Sequence, residues 1–273
     1  LNFDSNDKLY AQLRDTTGST SKYKLTNREF KDVSTWYHIV WRVDTTQSTA
    51  ADRSRIYING TQITDWDEEQ HVDEDDETSI NASGKDHLIG AYKTSGTTRH
   101  FGGYMAEINF IDGQSYGPEL FGQVGSNGYW IPKSLSGVSY GSGNNSFRLD
   151  FADSSALGDD ESGNGNDFDI TDNVNAIDQS IDSPTSNFAT LDPNEFGVVT
   201  FSATGLTEGN TAVTTPSSFA STLWGGAFST FEIPFGSKAY AEFRANATGV
   251  NWLAGACLRS ATPSTTNVGG ANS

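Results

Sequence analysis

Two neighbouring segments, 36–44 and 55–64, constrain the fold of this chain most strongly. Side chains along a β-strand point to opposite faces with a period of two. In the second segment Ile56 and Ile58 share one face while Tyr57 takes the other, and Asn59-Gly60 suits a two-residue type I′ turn. In the first segment, large side chains are expected on both faces of the strand. One face would carry Trp36, His38, Val40 and Arg42, and the other would carry Tyr37, Ile39, Trp41 and Val43. The pattern predicts two strands and a tight hairpin.

Short apolar runs separated by Gly, Ser, Thr, Asn and Asp extend this pattern along the whole chain, which predicts an all-β protein. In the last strand predicted for the first half, Ile108 and Phe110 would face the core. Pro118, followed by Gly122, predicts a single helical turn. The strands predicted before residue 114 are 8–14, 21–25, 36–44, 55–58, 62–64, 87–91 and 103–111.

Composition predicts four parts along the 273 residues. Residues 1–113 would form a β-sandwich, and 114–193 a Gly/Asn/Asp-rich connector with short strands at 128–131 and 146–151. Residues 194–260 would form a second β-module with strands at 197–202, 229–233, 239–245 and 252–258. Residues 261–273 are small and polar, as in a tail or a linker.

The formal net charge of −18 argues against nucleic-acid binding, which needs a basic surface, and against an anionic membrane surface. No apolar run approaches the roughly 20 residues that span a bilayer, so membrane insertion is not expected. The densest acidic run, 66–80, is interpreted as an exposed, solvated loop. The alternative is a rim that binds a cation or faces a ligand.

Several segments, in order, resemble laminin-G-like (concanavalin A-like jelly-roll) proteins of the tail fibres or virions of marine and cyanobacterial bacteriophages. Each segment alone is weakly specific, and the ordered set carries the resemblance across 1–193. The segments are NDKLY at 6–10, WYHIV at 36–40, YING at 57–60, LIG at 88–90, FGGYMAEINFIDGQ at 101–114, FRLDFADSSALG at 147–158, SGNGND at 162–167 and DSPTSNFATLDP at 182–193.

The resemblance implies a jelly-roll sandwich whose first strands lie upstream of Leu1, followed by an incomplete, SPRY-like second module. It implies a non-catalytic protein of the virion surface, and thus an extracellular one, that binds a host-surface polysaccharide or other glycan. Such a fibre would be a homo-oligomer, a trimer, in contact with other virion proteins. Two alternatives stay open: a purely architectural subunit of a capsid, fibre or filament, and a polysaccharide depolymerase.

Catalytic residues are not apparent in the sequence. The histidines are His38, His71, His87 and His100, and no Gly-x-Ser-x-Gly elbow accompanies them. Because 35 acidic residues make chance pairs of carboxylates frequent, such a pair would not by itself identify a hydrolase. We therefore expect no enzymatic activity.

Sugar binding on a β-sandwich uses exposed aromatic rings beside amide and carboxylate groups. Any one aromatic residue is more often a packing residue than a sugar platform. The candidates, chosen for their surroundings in predicted loops or short strands, are Trp66, Tyr92, Tyr116, Tyr129 and Trp130.

A Gly-rich segment supplies oxygen ligands of the kind that Ca²⁺ prefers. Its spacing differs from that of an EF-hand loop. The alternative is a loop in which Asx turns satisfy the segment's own backbone, and this interpretation has somewhat more weight. The candidate ligands are Asp153, Asp159, Asp160, Asn164, Asn166 and Asp167.

Overall fold

The computed structural model describes residues 1–18, 21–94, 97–170, 179–180, 182–196, 206–207, 209–213, 227–231, 233 and 236–244. The chain divides into two compact units, 1–176 with 183–187 and 177–182 with 188–273. The division therefore lies within the segment that the sequence predicts as a connector. None of the described helical segments is long and apolar enough to cross a membrane.

The described residues are almost entirely in strands, turns and irregular segments, which confirms the all-β prediction. Three single-turn 3-10 helices join them, at Ala50–Asp52, Pro118–Leu120 and Leu135–Gly137; the second is the turn predicted from Pro118. The strands of the first unit are β1 Asn2–Phe3, β2 Lys8–Arg14, β3 Ser21–Glu29, β4 Ile39–Val43, β5 Ser54–Ile58, β6 Thr61–Gln62, β7 Trp66–Glu69, β8 Ala91–Thr94, β9 Thr97–His100, β10 Ile108–Phe110, β11 Gly122–Val124, β12 Trp130–Pro132 and β13 Phe147–Leu149.

Two antiparallel sheets, in the orders β1-β2-β3-β7 and β4-β5-β6, share one hydrophobic core. Leu9 and Ala11 come from the first sheet, and Ile56 and Ile58 from the second; all four are buried. Since alternate residues of each strand point inwards, burying them against the other sheet removes apolar surface from water. Partly buried residues around this core are Phe3, Phe30, Tyr37, Ile39, Trp41, Ile63 and Trp66.

The hairpin predicted at Asn59-Gly60 is confirmed. Ile58 pairs with Thr61, and both turn residues have positive φ, 48° at Asn59 and 79° at Gly60, as a type I′ turn requires. The Asn59 side-chain oxygen accepts a hydrogen bond of 2.8 Å from the His38 backbone N–H. This contact holds the end of the turn against the chain that enters β4.

Both faces of β4 are filled, as the alternation predicts. Ile39 and Trp41 contribute to the shared core. On the other face, Arg42 donates to the Ser115 hydroxyl at 3.0 Å. The ring of His38, which directly precedes β4, lies near Phe121 and stacks on Trp130 at a centroid distance of 5.6 Å. The antiparallel pair β11–β12, which carries Trp130, therefore packs beside the Asn59-Gly60 turn.

A second antiparallel pair, β10 with β13, orders the segment after residue 100. Ile108 pairs with Leu149 and Phe110 with Phe147, so these side chains share one face, as predicted for Ile108 and Phe110. Phe147 stacks on Phe110 and meets Phe168 edge-on at 4.7 Å. The predicted connector thus has a small apolar cluster of its own at this pair.

Several strand predictions are wrong in extent. The strand predicted at 36–44 begins only at Ile39, and the strand predicted at 128–131 corresponds to β12, which begins two residues later, at Trp130, and ends at Pro132. Residues 87–90 lie outside any strand because Gly90 has φ 71° and His87 bonds locally to Lys85 and Asn81, which competes with a ladder. Of the strand predicted at 103–111, residues 103–107 are not in a strand, and Glu107 has a left-handed backbone. The observed strand, β10, is only Ile108–Phe110. The first four residues of the acidic run form β7 rather than a loop, paired with β3.

In the second unit, β14 (Leu191–Phe196) pairs with β17 (Ala227–Ser229), and β15 (Leu206–Thr207) pairs with β16 (Ala212–Val213). Thr190 and Thr230 are buried and hydrogen-bonded to each other beside the first pair. Strand 229–233 is thus shifted towards the N-terminus, and residues 239–244 are not a strand. The strands predicted at 197–202 and 252–258 lie outside the described residues.

Candidate functional site

Trp66 lies in β7, where it packs against the shared core rather than in a loop. The Lys24 ammonium lies 5.1 Å from the centre of its ring. Lys24 itself is buried and donates to the Ser54 carbonyl at 2.7 Å and to Glu69 at 2.9 Å. The surroundings of Trp66 are therefore those of a packing residue that lies beside the buried ammonium of Lys24.

Trp130 is also a packing residue in this structure. A Cβ added to Gly60 or to Gly122 would collide with its indole ring, so the ring lies directly on both backbones. Its Nε1 and the Nδ1 of His38 are buried and have no hydrogen-bond partner among the described residues. The neighbouring Tyr129 is 73% exposed, and Tyr116 is half-buried.

Tyr92 keeps the exposure that a sugar platform needs. It lies in β8, a strand rather than the predicted loop, opposite Arg99 in β9, and 54% of its surface is exposed. Burial is the main cause of the raised pKa of Tyr10; the charge of Arg14 lowers this pKa, and those of Tyr92 and Glu68 raise it.

Tyr10 belongs to a polar and aromatic surface on the outer side of the β1-β2-β3-β7 sheet. In β2 the buried Leu9, Ala11 and Leu13 alternate with outward side chains, and the cross-strand register brings the outward residues of β3 and β7 beside them. We call the resulting set the tyrosine face: Tyr10, Gln12, Arg14, Tyr23 and Glu68.

Hydrogen bonds and one contact between tyrosine rings connect the residues of the tyrosine face. The rings of Tyr10 and Tyr23 lie 5.1 Å apart, inclined by 34°. The Gln12 amide donates to the Tyr10 hydroxyl at 3.0 Å, and the Arg14 Nε donates to the Gln12 carbonyl at 3.2 Å. At the other end the Tyr23 hydroxyl donates to Glu68. This bond is the main cause of the raised pKa of Tyr23, which stays a neutral donor at physiological pH.

The tyrosine face was not identified from the sequence, although Tyr92 beside it was. The available signal was the alternation in KLYAQLR, which places Tyr10, Gln12 and Arg14 on the side opposite Leu9 and Leu13. Tyr23 could not be added without the β2–β3 register, because its neighbour Lys24 points inwards. A lysine on the core side contradicts the expectation that charged residues mark the solvent face.

Asp160, a candidate calcium ligand, organises its own loop. Its Oδ1 accepts from the backbone N–H groups of Arg148 and Ser162, both at 2.8 Å. Its Oδ2 accepts from the Ser162 hydroxyl at 2.8 Å and from the Asn166 backbone at 2.9 Å. Partial burial acts to raise the pKa of Asp160, but these hydrogen bonds outweigh it and lower the pKa. Four donors occupy the roughly four acceptor positions of a carboxylate.

The other candidate ligands, apart from Asp159, also form hydrogen bonds with nearby residues of the same unit. Asn164 and Asn166 donate their amides to the Ser146 carbonyl, at 3.2 and 2.9 Å. Asp167 accepts from the Asp160 N–H, and Asp153 accepts from Ser155. Asp159 is exposed. Within the described residues, no group of three or more His, Cys, Asp or Glu side chains is arranged to hold a metal ion.

Comparison with known proteins gives no relative: no family model matches the chain, and neither a curated protein nor a solved structure is significantly similar to it.

Proposed function

We propose that this chain is a non-catalytic surface protein of a bacteriophage virion, part of a tail fibre, and that it binds a host-surface glycan through the tyrosine face and Tyr92. In this proposal the two sheets of the first unit belong to a laminin-G-like jelly roll. The phage assignment is supported by the ordered motifs of the sequence. The glycan assignment is supported by one observation, the joined aromatic, amide, guanidinium and carboxylate groups on an outer sheet face.

The chemistry of this surface suits a sugar. Tyrosine rings offer apolar area to the C–H face of a pyranose at a low cost in side-chain entropy, while a polar tip stays in water. Gln12, Arg14 and Glu68 supply donors and acceptors around the rings. Because the groups already hold one another in place, little order would be lost on binding. Each site would bind weakly, and a trimeric fibre would gain avidity from several sites.

The test is binding of the full chain to an array of bacterial surface glycans. We expect saturable binding to a subset of the glycans. Tyr92→Ala and Tyr23→Ala should each weaken the affinity at least about tenfold, because each variant loses a good stacking contact. Val124→Ala is the control, since this side chain is 66% exposed in the first unit and lies outside the tyrosine face. An array without saturable binding, or equal losses in all three variants, would overturn the proposal.

An architectural role is the second candidate, and one observation favours it. The second unit exposes four large apolar side chains close together in sequence: Phe231, Ile233, Tyr240 and Phe243. Large exposed apolar groups are typical of surfaces that meet another protein. A chain that assembles through this segment but binds no glycan would be a spacer, and mass photometry of the wild type and Phe243→Ser distinguishes the assembled state from the monomer.

A further inference from the structure

A groove of about 490 Å³ lies in the first unit, on the polar side of the β10–β13 pair. Asn109 and Arg148 face each other across this pair, on the side opposite the apolar Phe110–Phe147 stack. The Tyr140 hydroxyl donates to the Asn109 side chain and fixes the ring in the groove. Glu107, Glu161 and Leu135 also line the groove. None of these residues belongs to the tyrosine face.

Glu107 holds an unusual backbone conformation at this groove. Its φ is 51°, in the left-handed region that a residue with a Cβ adopts only at a cost. In this conformation its carboxylate forms a two-pronged pair with Arg148, with Oε2 3.1 Å from Nε and Oε1 2.9 Å from Nη2. Asp150 supports the guanidinium from a second side at 3.6 Å. The strained backbone and the two-pronged pair fix a donor and an acceptor side by side.

A fixed guanidinium–carboxylate pair matches the vicinal hydroxyls of a sugar, since one hydroxyl accepts from the guanidinium while its neighbour donates to the carboxylate. Glu161 offers a further acceptor, because its exposed carboxylate has no hydrogen bond or ion pair within the described residues. The Tyr140 ring and Leu135 provide apolar surface beside these groups.

The charges that line the groove are balanced, so they favour neither an anion nor a cation. Two carboxylates, Glu107 and Glu161, balance the two cations that line it, Arg148 and Lys133. The volume lies within the range of small-molecule sites. We infer that this groove is a binding subsite for a neutral saccharide, separate from the tyrosine face of the same unit. The inference rests on the proposed function for its ligand class and on the groove alone for its location.

The test follows backbone amide shifts of the isotope-labelled full chain during titration with methyl glycosides of mannose, galactose and glucose. We expect one of them to shift the amides of Glu107, Arg148 and Glu161 saturably. Glu161→Gln, which removes no contact of the folded chain, should weaken this binding about fivefold, because a neutral amide oxygen accepts a weaker hydrogen bond than a carboxylate does. Arg148→Lys should weaken it similarly, and Glu77→Gln, an equal change of charge at an exposed site, should leave it unchanged.

The outcomes separate this inference from the proposed function. Shifts confined to Tyr10, Tyr23 and Tyr92 would overturn the groove and support the tyrosine face. Shifts confined to the groove would support the inference and overturn the tyrosine face as the site. If no glycoside shifts the groove amides up to its solubility limit, or if sulfate binds there more tightly than every glycoside, the inference is wrong.

Discussion

The two-sheet sandwich and the loop after β13 belong to the same unit, yet different forces order them. The sandwich is held by apolar burial, with Leu9, Ala11, Ile56 and Ile58 at its centre. The loop packs Phe168 against Phe147, and beside that ring contact it is held mainly by polar side chains that bond to backbone groups, with Asp160 at the centre. The comparison shows that a row of carboxylates and amides in a Gly-rich segment can serve the same structural purpose as a hydrophobic core.

The difference also decides how such a segment should be interpreted. Oxygen-rich side chains are the ligands of calcium, but they are also the groups that complete the hydrogen bonds of an irregular backbone. In this loop the second use is directly visible, because both oxygens of Asp160 already accept two bonds each. We therefore favour the structural use for this loop, and a direct test of calcium binding is given below.

The largest effect is expected in the sandwich. Ile56→Ala should lower the free energy of unfolding by about 2–5 kcal/mol, because truncating this fully buried side chain removes its apolar contacts and leaves a cavity. Val33→Ala, at a residue that is 48% exposed, should change it by less than about 0.5 kcal/mol. Urea denaturation of both variants measures this. Equal effects would mean that the shared core does not carry the stability of the first unit.

The junction between the Asn59-Gly60 turn and Trp130 should be the next most sensitive. Gly60→Ala combines the cost of a Cβ at φ 79° with a collision against the indole, so we expect a loss of about 2–4 kcal/mol. Gly113 has a similar φ of 77° but open space around it. Gly113→Ala should therefore cost only the backbone part, about 1–2 kcal/mol. Thermal denaturation giving the two variants the same cost would exclude the Trp130 contact.

The parts of the fold that could be predicted are those in which neighbouring residues suffice. The alternation in β2, β4 and β5 and the Asn-Gly turn depend on strand periodicity and on two φ angles, so they are visible in the chain. The inward face of β3 is different. Lys24 can lie there only because Ser54 and Glu69, 30 and 45 residues further along, accept its hydrogen bonds.

The candidate sites show the same limit. Tyr92 was selected for its surroundings in a predicted loop, whereas Tyr10 and Tyr23 form a surface only through the register of β2 with β3. Trp66 and Trp130 were selected as sugar platforms, and the structure places both against packed neighbours. Glu107 carries no local sign of its left-handed backbone, since its conformation depends on Arg148, 41 residues away.

The loop after β13 gives a smaller effect with a direct test of its purpose. Asp160→Ala should cost about 1.5–3 kcal/mol, because it leaves backbone donors unpaired. Asp153→Ala loses only the Ser155 contacts at an exposed site and should cost clearly less than Asp160→Ala. With Asp160 saturated by donors, we expect added Ca²⁺ to leave the melting temperature of the wild type unchanged. A rise that disappears in Asp160→Asn would instead establish a calcium site, since a ligand that binds only the folded state stabilises it.

The smallest effect concerns pH and the contact that joins β4 to the β11–β12 pair. Burial lowers the pKa of His38 from 6.5 in the folded chain. In the unfolded chain this histidine takes up a proton below about pH 6.5, whereas the folded chain resists it, so the unfolded state binds more protons in acid. The stabilising contribution is therefore complete above about pH 6.5 and declines as the pH falls through the lowered pKa.

His38→Phe keeps a ring on Trp130 but cannot titrate. Carboxylates change both proteins alike, so the comparison isolates His38. We expect the wild type to lose stability relative to this variant between about pH 6.5 and pH 5, measured as the difference in urea midpoint. Parallel curves for the two proteins would mean that His38 is protonated as easily in the folded chain as in the unfolded one. The β11–β12 pair would then fail to shield the outer face of β4 from water, and the junction would rest on the Gly60–Trp130 contact alone.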